Sequence, residues 1–296
     1  MHLRVPLIVV TLCSLISAAV AAADKYARPH LLIETNELAK PDFARRLVIL
    51  DARKKVAYQQ SHIPGARWVD HDTWKSALGD GTDVQGWSRR IGALGINSES
   101  EVVVYDDMGG LLAARIWWLL RYWGVDGARL LNGGWRAWQA EGLPTDAVEP
   151  PPARATQFTA NAHRQRLATK EQIAASLPEH RLQLVDSRSR EEYCGIDRKE
   201  NKRGGAIPGA RHLEWSNLLD PATGRFKSPE ELRRLIAEAG IDLNAPLASY
   251  CQTGGRASVM AFGLELMGAK ESRNYYSSWS EWGNNEDLPI VVPEKK

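Results

Sequence analysis

The sequence predicts an α/β fold written twice, as two tandem units that are each a parallel sheet flanked by helices. Three observations predict it. Short aliphatic or β-branched runs alternate with apolar stretches of helical length, the pattern of a parallel sheet covered by helices. The same motifs occur twice in one order, as in a duplicated unit. The chain has 296 residues, 44% hydrophobic and 25% charged, which suits about two globular domains with ordinary cores.

Residues 1–23 read as a secretory signal peptide. His2 and Arg4 form a short positive start, Val5 to Val20 is largely apolar, and Ala19 to Ala23 offers small residues for cleavage. A membrane anchor needs about 20 apolar residues, whereas Pro6, Thr11, Ser14 and Ser17 interrupt a shorter run. The expectation is an exported protein, periplasmic or secreted, with no membrane attachment after cleavage. Cys13 leaves with the signal, so the mature chain keeps Cys194 and Cys251. Two cysteines can form one bridge in an oxidising compartment, and the sequence alone does not say whether these do.

The first unit is placed at 24–147, a Pro-rich linker at 148–157 and the second unit at 158–296. Val48-Ile49-Leu50-Asp51-Ala52-Arg53 recurs as Gln183-Leu184-Val185-Asp186-Ser187-Arg188. His62-Ile63-Pro64-Gly65-Ala66-Arg67 recurs as Ala206-Ile207-Pro208-Gly209-Ala210-Arg211. Leu94-Gly95-Ile96 precedes Tyr105 by the count at which Ala239-Gly240-Ile241 precedes Tyr250. Trp135-x-x-Trp138 returns as Trp279-x-x-Trp282, each pair followed by Leu-Pro, and repetition in register marks these rings as core. Leu47 to Leu50 and Glu101 to Tyr105 read as buried strands, and Gly110 to Trp123 as a helix. Gly255 to Met267 is the matching helix, stopping near Gly268. The second copy carries about nine extra residues within Glu192 to Gly205, polar and Gly-containing, which read as a surface loop. Three successive prolines give the linker an extended backbone.

A balance of 38 Lys+Arg against 36 Asp+Glu leaves a net charge of +2, too weak a field for a nucleic-acid partner. The seven histidines form no close pair at metal-ligand spacing and no Cys-x-x-Cys occurs, so no metal and no cofactor are expected.

Ligands of open parallel sheets sit beyond the carboxyl ends of the strands. After Tyr250 comes Cys251-Gln252-Thr253-Gly254-Gly255-Arg256. A cysteine ends a strand, two glycines let consecutive N–H groups turn inward as an anion cradle, and a helix begins at once. The helix terminus contributes about half a positive charge and Arg256 a full one. All three favour the nucleophilic thiolate, expected to be ionised and within reach of solvent. A small buried core cysteine is the bland alternative, and the Gly-Gly-Arg that follows argues against it. In the first copy Asp106 stands where Cys251 stands and Leu111 where Arg256 does. A carboxylate does not replace a thiolate nucleophile, so that copy is expected to be inert and to support the other.

The tandem layout, the Asp-x-Arg, the Ile-Pro-Gly-Ala-Arg, the Cys251 loop and the closing Trp-x-x-Trp together resemble a two-domain rhodanese, the thiosulfate sulfurtransferase family, over essentially the whole mature chain. The resemblance implies two rhodanese-like domains with an active C-terminal copy. It implies that Cys251 takes the outer sulfur of a donor, becomes a persulfide and passes the sulfur to an acceptor. It further implies that Arg188 binds the anionic donor and that Gln252, Thr253, Gly254, Gly255 and Arg256 form the loop holding the persulfide. The expected partners are a small anionic sulfur donor and a cyanide or thiol acceptor, with a protein acceptor also open.

Related phosphatases use a Cys-x5-Arg loop with room for a phosphate, and Cys251 to Arg256 is one residue shorter. Thiosulfate is favoured as donor because the arginine suits a compact dianion. Two alternatives stay open: 3-mercaptopyruvate as donor, and a persulfide carrier serving a protein partner. His212 is read as structural, and Cys194 as a bystander with a resolving thiol as its other role.

Overall fold

The computed structural model describes residues 25–294, so the expected signal peptide at 1–23 lies outside the described residues. Strand signals become strands where aliphatic runs are walled on both faces. The first sheet comprises β1 (Leu32–Ile33), β2 (Leu47–Asp51), β3 (Arg67–Trp68), β4 (Glu101–Tyr105) and β5 (Ala128–Leu131), in the order β1-β5-β4-β2-β3. The second comprises β6 (Gln183–Asp186), β7 (Arg211–His212), β8 (Leu247–Tyr250) and β9 (Ser272–Asn274), in the order β7-β6-β8-β9. Every pairing between these strands is parallel. Among the described residues the second sheet has no full counterpart of β1; a single parallel bridge from Leu167 to Asn274 stands in its place.

The duplication extends to side chains. β2 and β4 set Asp51 opposite Tyr105, and β6 and β8 set Asp186 opposite Tyr250. Trp138 Nε1 donates to the Pro144 carbonyl at 2.8 Å and Trp282 Nε1 to the Pro289 carbonyl at 2.9 Å. That bond explains why each tryptophan pair is followed by Leu-Pro: a buried indole N–H needs an acceptor, and the turn supplies one.

The two units share a core. The helices Leu111–Tyr122 and Gly255–Leu266 are apolar nearly all round, so each is covered on every side. They pack on one another, with Trp117 edge-on to Phe262 at 4.8 Å, and one apolar cluster runs through both halves. Downstream of the prolines the chain stays on the first unit. Thr156 N donates to the Gly92 carbonyl at 3.0 Å and His163 N to that of Tyr122 at 2.7 Å, while Phe158 and Ala160 enter the shared core.

Candidate active site

β8 ends at Tyr250 and delivers Cys251 to the carboxyl edge of the second sheet. Its main chain is fixed from both sides: Cys251 N donates to Ser278 Oγ at 3.1 Å, and Trp279 N donates to the Cys251 carbonyl at 2.9 Å. Ser278 is fully buried and has φ +56°, a left-handed conformation costly for a residue with a side chain. Its counterpart in the first copy is Gly134 at φ +55°. The strain is retained for the hydroxyl, which also donates to the Tyr275 carbonyl at 2.6 Å.

The loop then curls over the sulfur. Gly254 N donates to Cys251 Sγ at 3.1 Å. Gly254 has φ +81°, and a Cβ there would lie 2.5 Å from the Tyr276 carbonyl oxygen, so only glycine fits. Gly254 caps the Gly255–Leu266 helix without a side-chain bond, and the amides of Gly255, Arg256 and Ala257 find no acceptor among the described residues.

The first copy shows what such a cradle holds. Asp106 places its carboxylate in the matching loop and accepts four amides, from Met108 (2.9 Å), Gly110 (2.8 Å), Leu112 (2.6 Å) and Ala113 (2.8 Å). Burial raises the Asp106 pKa above the ordinary aspartate value against the pull of those four bonds. The helix caps align Gly110 with Gly254, both left-handed. The Asp106 loop is therefore one residue longer than the Cys251 loop, and Leu112, rather than Leu111, stands opposite Arg256. A shorter ring around one sulfur and a longer ring around two oxygens is the size relation expected of the two anions.

Three expectations are corrected. Cys251 is 1% exposed, so its sulfur does not face solvent. The insertion follows a capped helical turn, Arg190–Tyr193, and runs on as the expected surface loop, with Ile196 59% exposed, while part of it turns inward against the Cys251 loop. Glu192, Cys194 and Asn201 are buried. Asn201 and Gln252 exchange amide hydrogen bonds at 3.1 Å in both directions. Glu192 takes both terminal nitrogens of Arg256, at 2.5 and 2.8 Å, so the charge expected to face a donor is already paired. Burial works against the Arg256 charge, and the bond to Glu192 with the nearby Cys251 sulfur more than offsets it, raising its pKa further.

Arg188 is the third. It is 1% exposed, donates through Nε and Nη2 to Asp186 at 3.0 and 2.6 Å and through Nη2 to the Gly205 carbonyl at 2.7 Å, and stacks over Trp279 at 4.3 Å. The first copy builds the same strut: Arg53 to Asp51 at 3.0 and 2.6 Å, to the Ser61 carbonyl at 2.6 Å, and over Trp135 at 4.0 Å. A pair built alike where no cysteine stands is framework, not a donor site.

Of the remaining loop residues, Gly255 is buried and Thr253 half-buried. His212 accepts its structural reading, with Nε2 on the Arg188 carbonyl at 2.9 Å and its ring stacked on Tyr193. Cys194 and Cys251 are both free thiols, and Cys194 Sγ lies 3.8 Å from the Glu294 carbonyl oxygen. Sequence reasoning missed Glu192, Asn201 and Ser278. Only Glu192 had a signal, the Ser189-x-x-Glu192 spacing of a capping box, with Ser189 N donating to Glu192 Oε2 at 3.3 Å.

Known proteins with this arrangement fall together. A model described as the rhodanese-like domain matches residues 34–141 and again 169–285. The sulfur carrier protein TtuD of Thermus thermophilus is 31% identical, over 91% of this chain and 99% of its own. Thiosulfate sulfurtransferases of Azotobacter vinelandii (31%, covering 91% and 100%) and Rattus norvegicus (35%, covering 78% and 80%) are similar too. Among solved structures, YnjE superposes with a TM-score of 0.77 at 25% identity, covering 92% of this chain and 70% of that one. Wild-type EanB shares the fold, with a TM-score of 0.78 at 23% identity over 92% of this chain and 71% of its own.

Proposed function

The chain is a tandem member of the rhodanese family of sulfurtransferases, and from that premise we propose that it moves the sulfane sulfur of thiosulfate to cyanide or a thiol through a persulfide on Cys251. The Cys251 thiolate attacks the outer sulfur of thiosulfate; the S–S bond breaks and sulfite leaves with the electron pair. Cyanide or a thiolate then attacks the terminal persulfide sulfur, taking it as thiocyanate or as a new persulfide and restoring the Cys251 thiolate. The loop amides supply the charge stabilisation, because they are fixed before the anion arrives and need no reorganisation.

The observation that carries this reading is the contrast between the two loops. The Asp106 cradle directs four amides at a built-in anion, and the Cys251 cradle directs one at a sulfur while the amides that follow are unused. The sequence of residues 1–23 supports export, and the mature protein is expected to begin just after the small-residue run when recovered from the cell envelope.

Intact mass after thiosulfate treatment tests the proposal. A gain of one sulfur atom, removed by cyanide and absent in Cys251→Ser, is expected; transfer that survives Cys251→Ser ends it. A second reading, a persulfide carrier for a protein partner, is supported by the relative TtuD, which is named a sulfur carrier. A carrier traps one sulfur per chain and then stops with cyanide as acceptor, whereas an enzyme turns over.

A further inference from the structure

Resting on that reading, we propose that Arg115, contributed by the half without the cysteine, binds the sulfonate end of the donor at the N-terminus of the Gly255–Leu266 helix. Arg115 projects from the Leu111–Tyr122 helix, at a place the second copy fills with Val259, so the duplication did not create it. The residue is 4% exposed, yet among the described residues its Nε and Nη1 have no hydrogen-bond acceptor and no carboxylate pairs with it. A buried guanidinium without an anion is costly, and such a group persists where something outside the chain completes it.

The direction of the side chain says where. Its Nη2 lies 2.7 Å from the position a Cβ on Gly255 would take, so the guanidinium rests on the first residue of the helix, and a side chain there would displace it. Gly254 leaves the first-turn amides uncapped, and one of them follows directly on the amide that meets Cys251 Sγ. The Tyr276 ring, 5.0 Å from the Arg115 guanidinium carbon, holds the group from beneath. The other cations near the loop are engaged: Arg256 with Glu192 and Arg188 with Asp186. Burial and the Arg115 charge hold the His71 imidazole below its ordinary pKa, so this neighbour is neutral and adds no second charge.

These parts fit a tetrahedral oxyanion joined to sulfur. Its oxygens can take the Arg115 guanidinium on one side and first-turn amides on the other, leaving the outer sulfur toward Cys251. Sulfite then leaves from the same place with its added charge, where cation and amides stabilise it. The cysteine-less half becomes a supplier of the donor site.

The test compares two donors in the full chain: thiosulfate and an alkyl hydropersulfide, which carries no sulfonate and whose outer sulfur passes to the Cys251 thiolate as the alkanethiolate leaves. Arg115→Gln is expected to raise the thiosulfate KM about tenfold or more, so that the ratio of thiosulfate to hydropersulfide loading falls by the same factor. Arg115→Lys, which keeps the charge without the fork, is expected to fall between the variant and wild type. An unchanged ratio in a folded Gln variant overturns the proposal. So does equal loss with both donors, or failure of both variants to fold, since each makes Arg115 a structural strut. If the wild-type chain loads from the hydropersulfide but never from thiosulfate, the donor assignment fails first and the proposal falls with it. Loss of all loading in the wild type marks instead the failure of the persulfide reading.

Discussion

Glu192 grips Arg256 through both terminal nitrogens, at 2.5 and 2.8 Å, and the carboxylate is 2% exposed. Burial works to raise the Glu192 pKa, but the hydrogen bond and charge of Arg256 bring it below the ordinary glutamate value. Glu192 is therefore ionised through the neutral range, and Arg256 meets a donor as half of a neutral pair. A cation drawn aside in this way positions the loop more than it attracts the substrate.

Glu192→Gln is accordingly expected to act in two opposite directions. Releasing Arg256 lowers the thiosulfate KM about threefold or more, because an unpaired cation now faces the anion. Losing the carboxylate costs about 1–3 kcal/mol of stability, as a denaturant titration will read. A variant that loses stability while its KM rises would show that Arg256 needs Glu192 to hold the loop in place.

Arg188 and Arg53 offer a paired experiment. Each is almost fully buried against its own aspartate, so Arg188→Met and Arg53→Met are both expected to cost about 3–5 kcal/mol. The two losses should be similar, and neither should alter the thiosulfate KM of the molecules that remain folded. A KM change confined to Arg188→Met, with little loss of stability, would return that arginine to the donor site.

The sequence carried the architecture well because duplication and buried strands leave repeating, local marks. Asp51 opposite Tyr105 and Asp186 opposite Tyr250 follow from two copies of one pattern. The cysteine, the glycines and the helix start were legible for the same reason: they are consecutive. Arg188 was misread because an Asp-x-Arg looks the same in sequence whether its arginine binds a ligand or its own aspartate; burial decides, and burial is tertiary. Arg115 and Asn201 meet the loop through space from distant parts of the chain, and no spacing announces them. The one-residue difference between the loops needed the two helix caps to be superposed.

Asp106→Asn separates framework from chemistry in the cysteine-less half. The four amides converging on Asp106 need oxygen acceptors, and an amide side chain turns two hydrogens toward donors. The substitution is expected to cost about 1–3 kcal/mol while sulfur loading at Cys251 keeps its wild-type kcat. A large fall in kcat in the folded variant would mean that the Asp106 loop takes part in the reaction across the seam.

The seam between the units has its own acid limit, set by Glu265. It is 5% exposed and accepts from Arg121 Nη2 at 3.0 Å and from Arg166 at 3.0 and 3.1 Å, with Arg28 at 3.6 Å. Burial alone would raise its pKa; the hydrogen bond from Arg166 and the charges of Arg166, Arg121 and Arg28 pull it below the ordinary 4.5. A carboxyl whose folded pKa lies below its unfolded one contributes stability above the unfolded value and loses it as the pH falls through the folded value. Glu265→Gln is thus expected to cost about 3 kcal/mol near pH 7. The gap from wild type should narrow steadily once the pH drops below about 4.5, as the wild-type carboxyl also becomes neutral. Denaturant midpoints measured at a series of pH values check this. A gap that stays constant into strong acid would assign the seam's stability to its apolar helix pair, with the four-residue charge cluster contributing nothing.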